Sequence, residues 1–401
     1  MVTCPITGIE IRAETGRTVF EGGFRPFFLL AGLYAAVSII AWVPLVHGHY
    51  LIETALPLPY WHGHEMVFGF GAAALAGFLL TAVPNWTGGG PVRGWRLALL
   101  ASVWLLGRIA AWISGASALP FAVIDLAFLP LLTALIAPGI IVRNARRNGV
   151  FVVLLALLWA ANAAVHLDAL GVIVAARWGL GLGIAILLVA ISVIGGRVVP
   201  AFTIGGMRMA GTPVAIVPRP HLDMVAIASV AGTGLLEAAG APDSAVGAMA
   251  ALAASANAIR LAGWQGWRTF RVPLVWVLHV GYAWLVAGFA LKALAAFELV
   301  PANAALHALT AGAAGTMILA IMTRASLGHT GRPLRANLAT TISYLLVTLG
   351  AAMRVAGAFF DGTLGQELVG FSGMTWAAGF LVFTAAYAPI LLGRRIDGRP
   401  G

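Results

Sequence analysis

Charge is scarce in this chain. Of its 401 residues only 9% are Asp, Glu, Lys or Arg, against about 25% in soluble domains, while 61% are apolar. That balance excludes an ordinary water-soluble domain. Sulfur is scarcer still. A single cysteine, Cys4, excludes a disulfide framework, a zinc ribbon and a thiolate-held iron–sulfur cluster, each of which needs several sulfurs. The first 26 residues are too polar to read as a signal peptide. The formal net charge of +10 would suggest nucleic acid if the cations shared one water-facing surface. Here they punctuate apolar runs, so no nucleic-acid partner is expected.

What the chain has instead is a series of apolar runs, each about the 20 residues that a membrane helix needs, separated by short Gly, Pro and Arg punctuation. Twelve are expected, at 27–46, 62–83, 97–114, 120–141, 150–168, 177–195, 221–240, 245–262, 273–295, 302–323, 336–358 and 367–392. The fold class expected is an all-α integral membrane protein set in a lipid bilayer. It comprises a cytoplasmic N-terminal segment (1–26), a single twelve-helix membrane domain (27–392) and a cytoplasmic tail (393–401). Lys and Arg are retained on the cytoplasmic side. With the N-terminus inside, twenty of the twenty-four cationic residues sort there, and only Arg108, Arg177, Lys292 and Arg354 do not. The basic charge is therefore read as topology, and both termini are expected in the cytoplasm.

An internal echo accompanies the spans. One offset of 243 residues relates His64 to His307 and Gly88 to Gly331, so a His-led, Gly/Ala-rich helix and its trailing turn recur together. The sixth span, ending in a loop at Gly195-Gly196-Arg197, reads as a third copy with Trp178 in the histidine position. Three sets of four helices, or arcs, are the implied arrangement.

Ionisable residues inside a span are costly and point to function. His62, His64 and Glu65 open the second span at its outer end, His166 closes the fifth there, and His307 opens the tenth there. Arg108, Asp125 and Arg354 lie in the outer thirds of their spans. His279 enters from the other side, about 9 Å into the ninth span at 1.5 Å per residue. His62 and His64 are about 200° apart around the helix axis and cannot grip one ion together.

Each of the two can serve its own site. His62 shares a face with Met66 and Glu65, and imidazole with thioether suits copper, particularly Cu(I). Asn162 precedes His166 by four residues, as Asn303 precedes His307, which puts an amide beside each imidazole. The small residues after His64 (Gly69, Gly71, Ala72) and after His307 (Ala311, Gly312, Ala314, Gly315) would let a flat macrocycle lie close, or would simply let helices approach. The residues thus favour haem b between His64 and His307, with Arg108 and Arg354 pairing either its carboxylates or the nearby Glu65 and Asp125. An outer copper site is expected at His62 and His166. His279, near Tyr282, is either a separate ligand or a hydrogen-bonded core residue. The thirteen tryptophans, Trp42, Trp61 and Trp112 among them, read mostly as interface anchors.

Several phrases resemble a known family almost end to end: Gly23-Phe24-Arg25-Pro26-Phe27-Phe28, Trp61-His62-Gly63-His64-Glu65-Met66, Thr81 to Gly88, Ile194 to Thr203 and Thr323 to Arg332. These are similar to the NnrS proteins, bacterial inner-membrane proteins of the nitric oxide stress response. The resemblance implies twelve spans, bound haem and copper, and protection against nitric oxide. A fainter similarity, to the catalytic subunit of haem-copper oxidases and nitric oxide reductases, lies in twelve spans with haem histidines on the second and tenth helices. That family's copper histidines on the sixth and seventh spans are not matched here, since the sixth has none and His221 sits at the inner end of the seventh.

The function expected is a haem- and copper-binding membrane protein that binds or redox-processes nitric oxide, or shields iron proteins from nitrosylation. Nitric oxide or nitrosyl-iron species are its expected partners, with quinol or another electron donor for any redox step. The competing reading is a metal or haem transporter that uses intramembrane histidines as a pathway, and a third is a structural scaffold.

Overall fold

The computed structural model describes residues 2–3, 10–11, 18–48, 52–142 and 148–398. Cys4, His49 and the loop cations Arg12, Arg17, Arg143, Arg146, Arg147 and Arg399 lie outside them. A two-residue antiparallel pair, β1 (Val2–Thr3) and β2 (Glu10–Ile11), precedes the helices.

Among the described residues twelve long helices follow, and each coincides with an expected span to within a few residues at most ends. They are α1 (Phe24–Val46), α2 (Leu58–Thr87), α3 (Trp95–Trp112), α4 (Ala118–Val142), α5 (Gly149–Ala169) and α6 (Ala176–Met209). Then come α7 (Pro220–Ala238), α8 (Asp243–Gly263), α9 (Pro273–Ala295), α10 (Ala302–His329), α11 (Leu338–Gly357) and α12 (Gly362–Leu392). Among the described residues eleven helices are long and apolar enough to cross a bilayer. The remaining one, α7, has 19 residues, and Asp223 and Glu237 near its two ends dilute its apolar run. The protein is an all-α, multi-pass membrane protein.

Local chemistry sets the helix ends. Proline opens α2, α7 and α9, where its missing N–H costs nothing. Gly88 closes α2 in the left-handed conformation at φ 65°. Leu105, Leu106 and Ile109 on α3 and Leu345 and Leu349 on α11 are exposed, as expected where lipid is the solvent. Between helices the driving force is packing, which small residues allow. On α11 and α12 the contact is reciprocal: a Cβ on Gly350 would lie 2.7 Å from the Trp376 nitrogen, and one on Gly379 would lie 3.0 Å from the Ser343 oxygen.

Two sequence expectations need correction. The sixth span does not end in a loop at Gly195-Gly196-Arg197, because α6 continues to Met209. Those glycines serve close approach instead of a turn: a Cβ on Gly195 would meet Tyr282, and one on Gly196 would overlap the Arg260 guanidinium. The third copy is also in a different register. The spans α2, α6 and α10, four apart in chain order, all touch one another. A single apolar cavity of about 50 Å³ is lined by Gly71, Ala74, Leu75 and Phe78 of α2, by Leu187, Ala190, Ile191 and Ile194 of α6, and by Ala314, Met317, Ile318 and Ile321 of α10.

The same i, i+3, i+4, i+7 stripe thus appears three times. It equates Thr87, Thr203 and Thr330, each of which donates its hydroxyl to the carbonyl four residues back, at 2.8, 2.7 and 2.6 Å. Pro84 then matches Pro200. Leu180, not Trp178, stands where α2 and α10 carry histidine. Trp178 is instead exposed and donates to the Ala238 carbonyl.

The 243-residue echo has a conformational counterpart. A π-helical segment follows His64 directly, at Glu65–Gly71, and another follows His307, at Ala308–Ala314. Both are seven residues long and stand at the same offset. In each, an indole N–H caps a carbonyl of the widened turn, Trp104 to Gly69 at 3.1 Å and Trp376 to Ala311 at 3.2 Å. Such segments recur at functional sites because they re-aim neighbouring side chains.

The arginine distribution makes a topology prediction. A phosphatase reporter fused after Arg395 is expected to be inactive and a cytoplasmic reporter there active. The reverse result would overturn the inward placement of the C-terminus.

Candidate metal centre

The buried charges near the His64 end of α2 converge on one network across the first five helices. Arg108 of α3 is 2% exposed and lies between two carboxylates. Its Nη1 donates to Glu65 Oε1 at 2.7 Å, and its Nη2 donates to Asp125 Oδ1. Tyr34 of α1 donates its hydroxyl to the second oxygen of Glu65 and in turn accepts from Trp112 Nε1 at 3.3 Å. The glycine at 69 makes room, since a Cβ there would sit 2.9 Å from Arg108 Nη1 and 3.0 Å from the Tyr34 ring.

Two histidines complete the network. His64 Nδ1 lies 2.7 Å from Glu65 Oε1, and its Nε2 lies 2.9 Å from Asn162 Oδ1 and 3.3 Å from Asp125 Oδ2. His166 Nε2 is 2.9 Å from the same Asp125 oxygen, which also accepts from Asn162 Nδ2 at 2.7 Å. Phe121 and Phe68 wall the pair: Phe121 is edge-on to both imidazoles, at centroid distances of 5.2 and 4.6 Å, and Phe68 is 5.1 Å from His64. One ligand atom each from His64, Asp125 and His166 can be chosen so that all lie within 4.8 Å of one another.

Two features of this network ask for a cation. Both ring nitrogens of His64 face acceptor oxygens, yet a neutral imidazole donates from only one of them. Two carboxylates also stand against a single guanidinium in a nearly dry site, where uncompensated charge is costly. A proton or a metal ion between His64 Nε2 and Asp125 would resolve both. His166 Nδ1, buried and without a partner, leaves a further nitrogen uncommitted. Two imidazoles and a carboxylate are ligands that suit copper, zinc or iron.

The remaining expected residues lie elsewhere. His62 points to the opposite face of α2 and stacks on Trp42 at 4.4 Å and 10°. His307 directs Nδ1 to the Asn303 carbonyl at 3.0 Å, which leaves Nε2 as its free lone pair. Arg354 of α11 is within electrostatic reach of both His62 and His307, and its Nη1 is buried without a partner. So His64 is brought to His166, at a ring-centroid distance of 5.1 Å, while His62 and His307 lie within electrostatic reach of each other. The pairs expected from sequence, His64 with His307 and His62 with His166, are not the ones assembled. The separation of about 200° on α2 sends His64 and His62 to different neighbours. Met66 Sδ is 3.6 Å from the Ser38 hydroxyl. His279 is apart from all of them, its Nε2 2.9 Å from Thr203 Oγ1 and its ring against Gly266.

The small residues expected to admit a macrocycle are covered by protein. Arg108 and Tyr34 lie over Gly69, Leu187 over Gly71, Trp284 over Gly312 and Trp376 over Gly315. They serve close helix packing. Sequence reasoning also missed Tyr34, since a single tyrosine in an apolar span carries no local signal. Asp125 and Asn162 were visible as intramembrane polar groups, but their shared partner was not.

Replacing Asp125 by Asn should cost about 3 kcal/mol or more, the scale for removing one partner of a buried ion pair. Thermal unfolding of the purified protein checks it, with Arg354→Gln, outside this network, expected to shift the midpoint less.

Curated proteins offer no match to this chain. The family model described as NnrS protein matches residues 18–395. That stretch contains all twelve helices and both histidine clusters, and the chain belongs to the NnrS family.

Proposed function

We propose that this protein is a haem- and copper-binding protein of the bacterial inner membrane that acts in nitric oxide resistance, by binding or redox-processing nitric oxide or by protecting iron proteins from nitrosylation. Family membership points to a membrane protein of the nitric oxide response. The observation that carries the finer reading is the separation of two imidazole clusters on opposite faces of α2. One has a surplus of negative charge, and the other has an unpartnered guanidinium nitrogen.

Copper fits the first cluster. His64, His166 and Asp125 would hold it, and its charge would offset the second carboxylate. This donor set is harder than the thioether site read from sequence and suits Cu(II). Glu65 and Asn162 would fix the His64 ring from behind, as outer partners of metal ligands do. Haem b would take its imidazoles from His62 and His307, with Arg354 as a fork for a carboxylate. When bound, the two groups would supply one-electron redox chemistry. The chain's own part is to orient imidazoles, to balance charge and to keep water out through the Phe68, Phe121 and Trp42 walls.

The transporter reading asks for polar groups that run across the membrane. Among the described residues the outer network is separated from an inner one, where Arg260 binds Asp223, Ser192 and Tyr282. The apolar cavity on the central axis holds no ionisable residue.

Optical spectra and metal analysis of single variants test the assignment. His62→Ala and His307→Ala should reduce or shift the haem absorption with copper retained, and His64→Ala and His166→Ala should lose copper with haem retained. A wild-type protein lacking both groups would overturn the reading. Haem loss in the His64 variant together with the His307 variant would restore the pairing read from sequence.

A further inference from the structure

Arg25 opens α1 within the phrase Gly23-Phe24-Arg25-Pro26, which neither proposed metal cluster uses. It is 0% exposed. Its Nη1 donates to the Leu391 carbonyl at 2.8 Å and to the Gly393 carbonyl at 2.6 Å, at the end of α12. Its Nε and Nη2, buried as well, have no partner. These two atoms form one straight edge of the guanidinium, the edge that matches the two oxygens of a carboxylate or phosphate.

A second guanidinium stands beside the first. Arg332, in the turn that follows α10, has a buried Nη1 without a partner. Its Nη2 lies 3.9 Å from where a Cβ on Gly393 would be, so both arginines flank the same residue. Arg332 and Arg395 are both within electrostatic reach of Arg25, and each adds positive charge there. Glu21 is the one carboxylate acting on Arg25 from α1's own approach, and the two form no ion pair. Asp397 is taken by Arg395, at 2.8 and 2.5 Å. The neighbouring groups therefore leave a cationic site with an unpaired two-pronged edge. Three buried nitrogens, Arg25 Nε and Nη2 and Arg332 Nη1, lack a partner here, and leaving a buried charged donor without a hydrogen bond is costly.

We propose that Arg25 and Arg332 bind a phosphate-class oxyanion at the inner ends of α1, α10 and α12. Two sources share that chemistry: the headgroup of an anionic phospholipid of the facing leaflet and free inorganic phosphate. A lipid would stand with its phosphate on the Arg25 edge and its chains along the helices, and it would join the first, tenth and last spans. This inference is independent of the metal assignments.

Native mass spectrometry of the full-length protein, with matched thermal unfolding, tests it using three probes: phosphatidylglycerol, inorganic phosphate, and a phosphate-free glycolipid with the same chains. The wild-type protein should retain and be stabilised by phosphatidylglycerol over the glycolipid. Arg332→Gln and Arg25→Lys should each weaken that preference at least about tenfold, as losing a charge-assisted contact does. Stabilisation by inorganic phosphate alone, lost in the same variants, supports the site with a free anion as occupant. Arg332→Gln carries the test where Arg25→Lys, which disturbs the contacts to Leu391 and Gly393, fails to fold. Equal retention of all three probes, or a preference unchanged in Arg332→Gln, overturns the proposal.

Discussion

The arrangement of the first five helices depends on one guanidinium. Arg108 lies between two carboxylates from different helices, Glu65 on α2 and Asp125 on α4, in a dry site where an unpaired charge is costly. Each carboxylate has its own further obligations, Glu65 to Tyr34 and His64, Asp125 to Asn162 and His166. Satisfying one buried charge thus fixes the relative rotation of five helices. That constraint decides which histidine of α2 faces inward toward α5, and so which imidazoles meet.

Helix rotation is also where the π segments enter. A seven-residue segment with wider turns, placed directly after the histidine, changes the angle at which the helix below it leaves the site. Both segments do this at the same position in the repeat, and both end at a residue of the central cavity, Gly71 and Ala314. The histidine ends and the central stripe are therefore set in separate frames joined by a widened turn. The third central helix, α6, has neither histidine nor π segment and is continuous for 34 residues. Loss of the site and loss of the distortion go together, which links the π geometry to the histidines more closely than to helix packing.

Membrane spans are legible in sequence because the bilayer imposes one length and one composition, and every apolar run became a helix. Polar groups were legible as intramembrane exceptions for the same reason. Partner choice was not, because it turns on rotation about helix axes, which a list of positions does not contain. His64 and His307 share a 243-residue offset, yet that symmetry relates equivalent places and does not bring them into contact. Gly195-Gly196 reads as a turn by composition, whereas its physical cause is Arg260 and Tyr282 pressing from α8 and α9. The register of the third copy was hidden for a similar reason: Trp178 is large and terminal like a histidine, but it faces outward, and the true register lies in a stripe of ordinary aliphatic residues.

That stripe bears on how a small ligand and an ion would fare in the same protein. A cavity lined wholly by apolar side chains has nothing to hold water and stays dry. An ion or a proton finds no polar group in that cavity. A small apolar gas meets no such barrier, since it dissolves in the lipid and in the cavity alike. For the nitric oxide chemistry proposed above, this asymmetry would let the reactant arrive through the apolar interior, while charge would reach the His64–Asp125–His166 centre only through the side chains that face it.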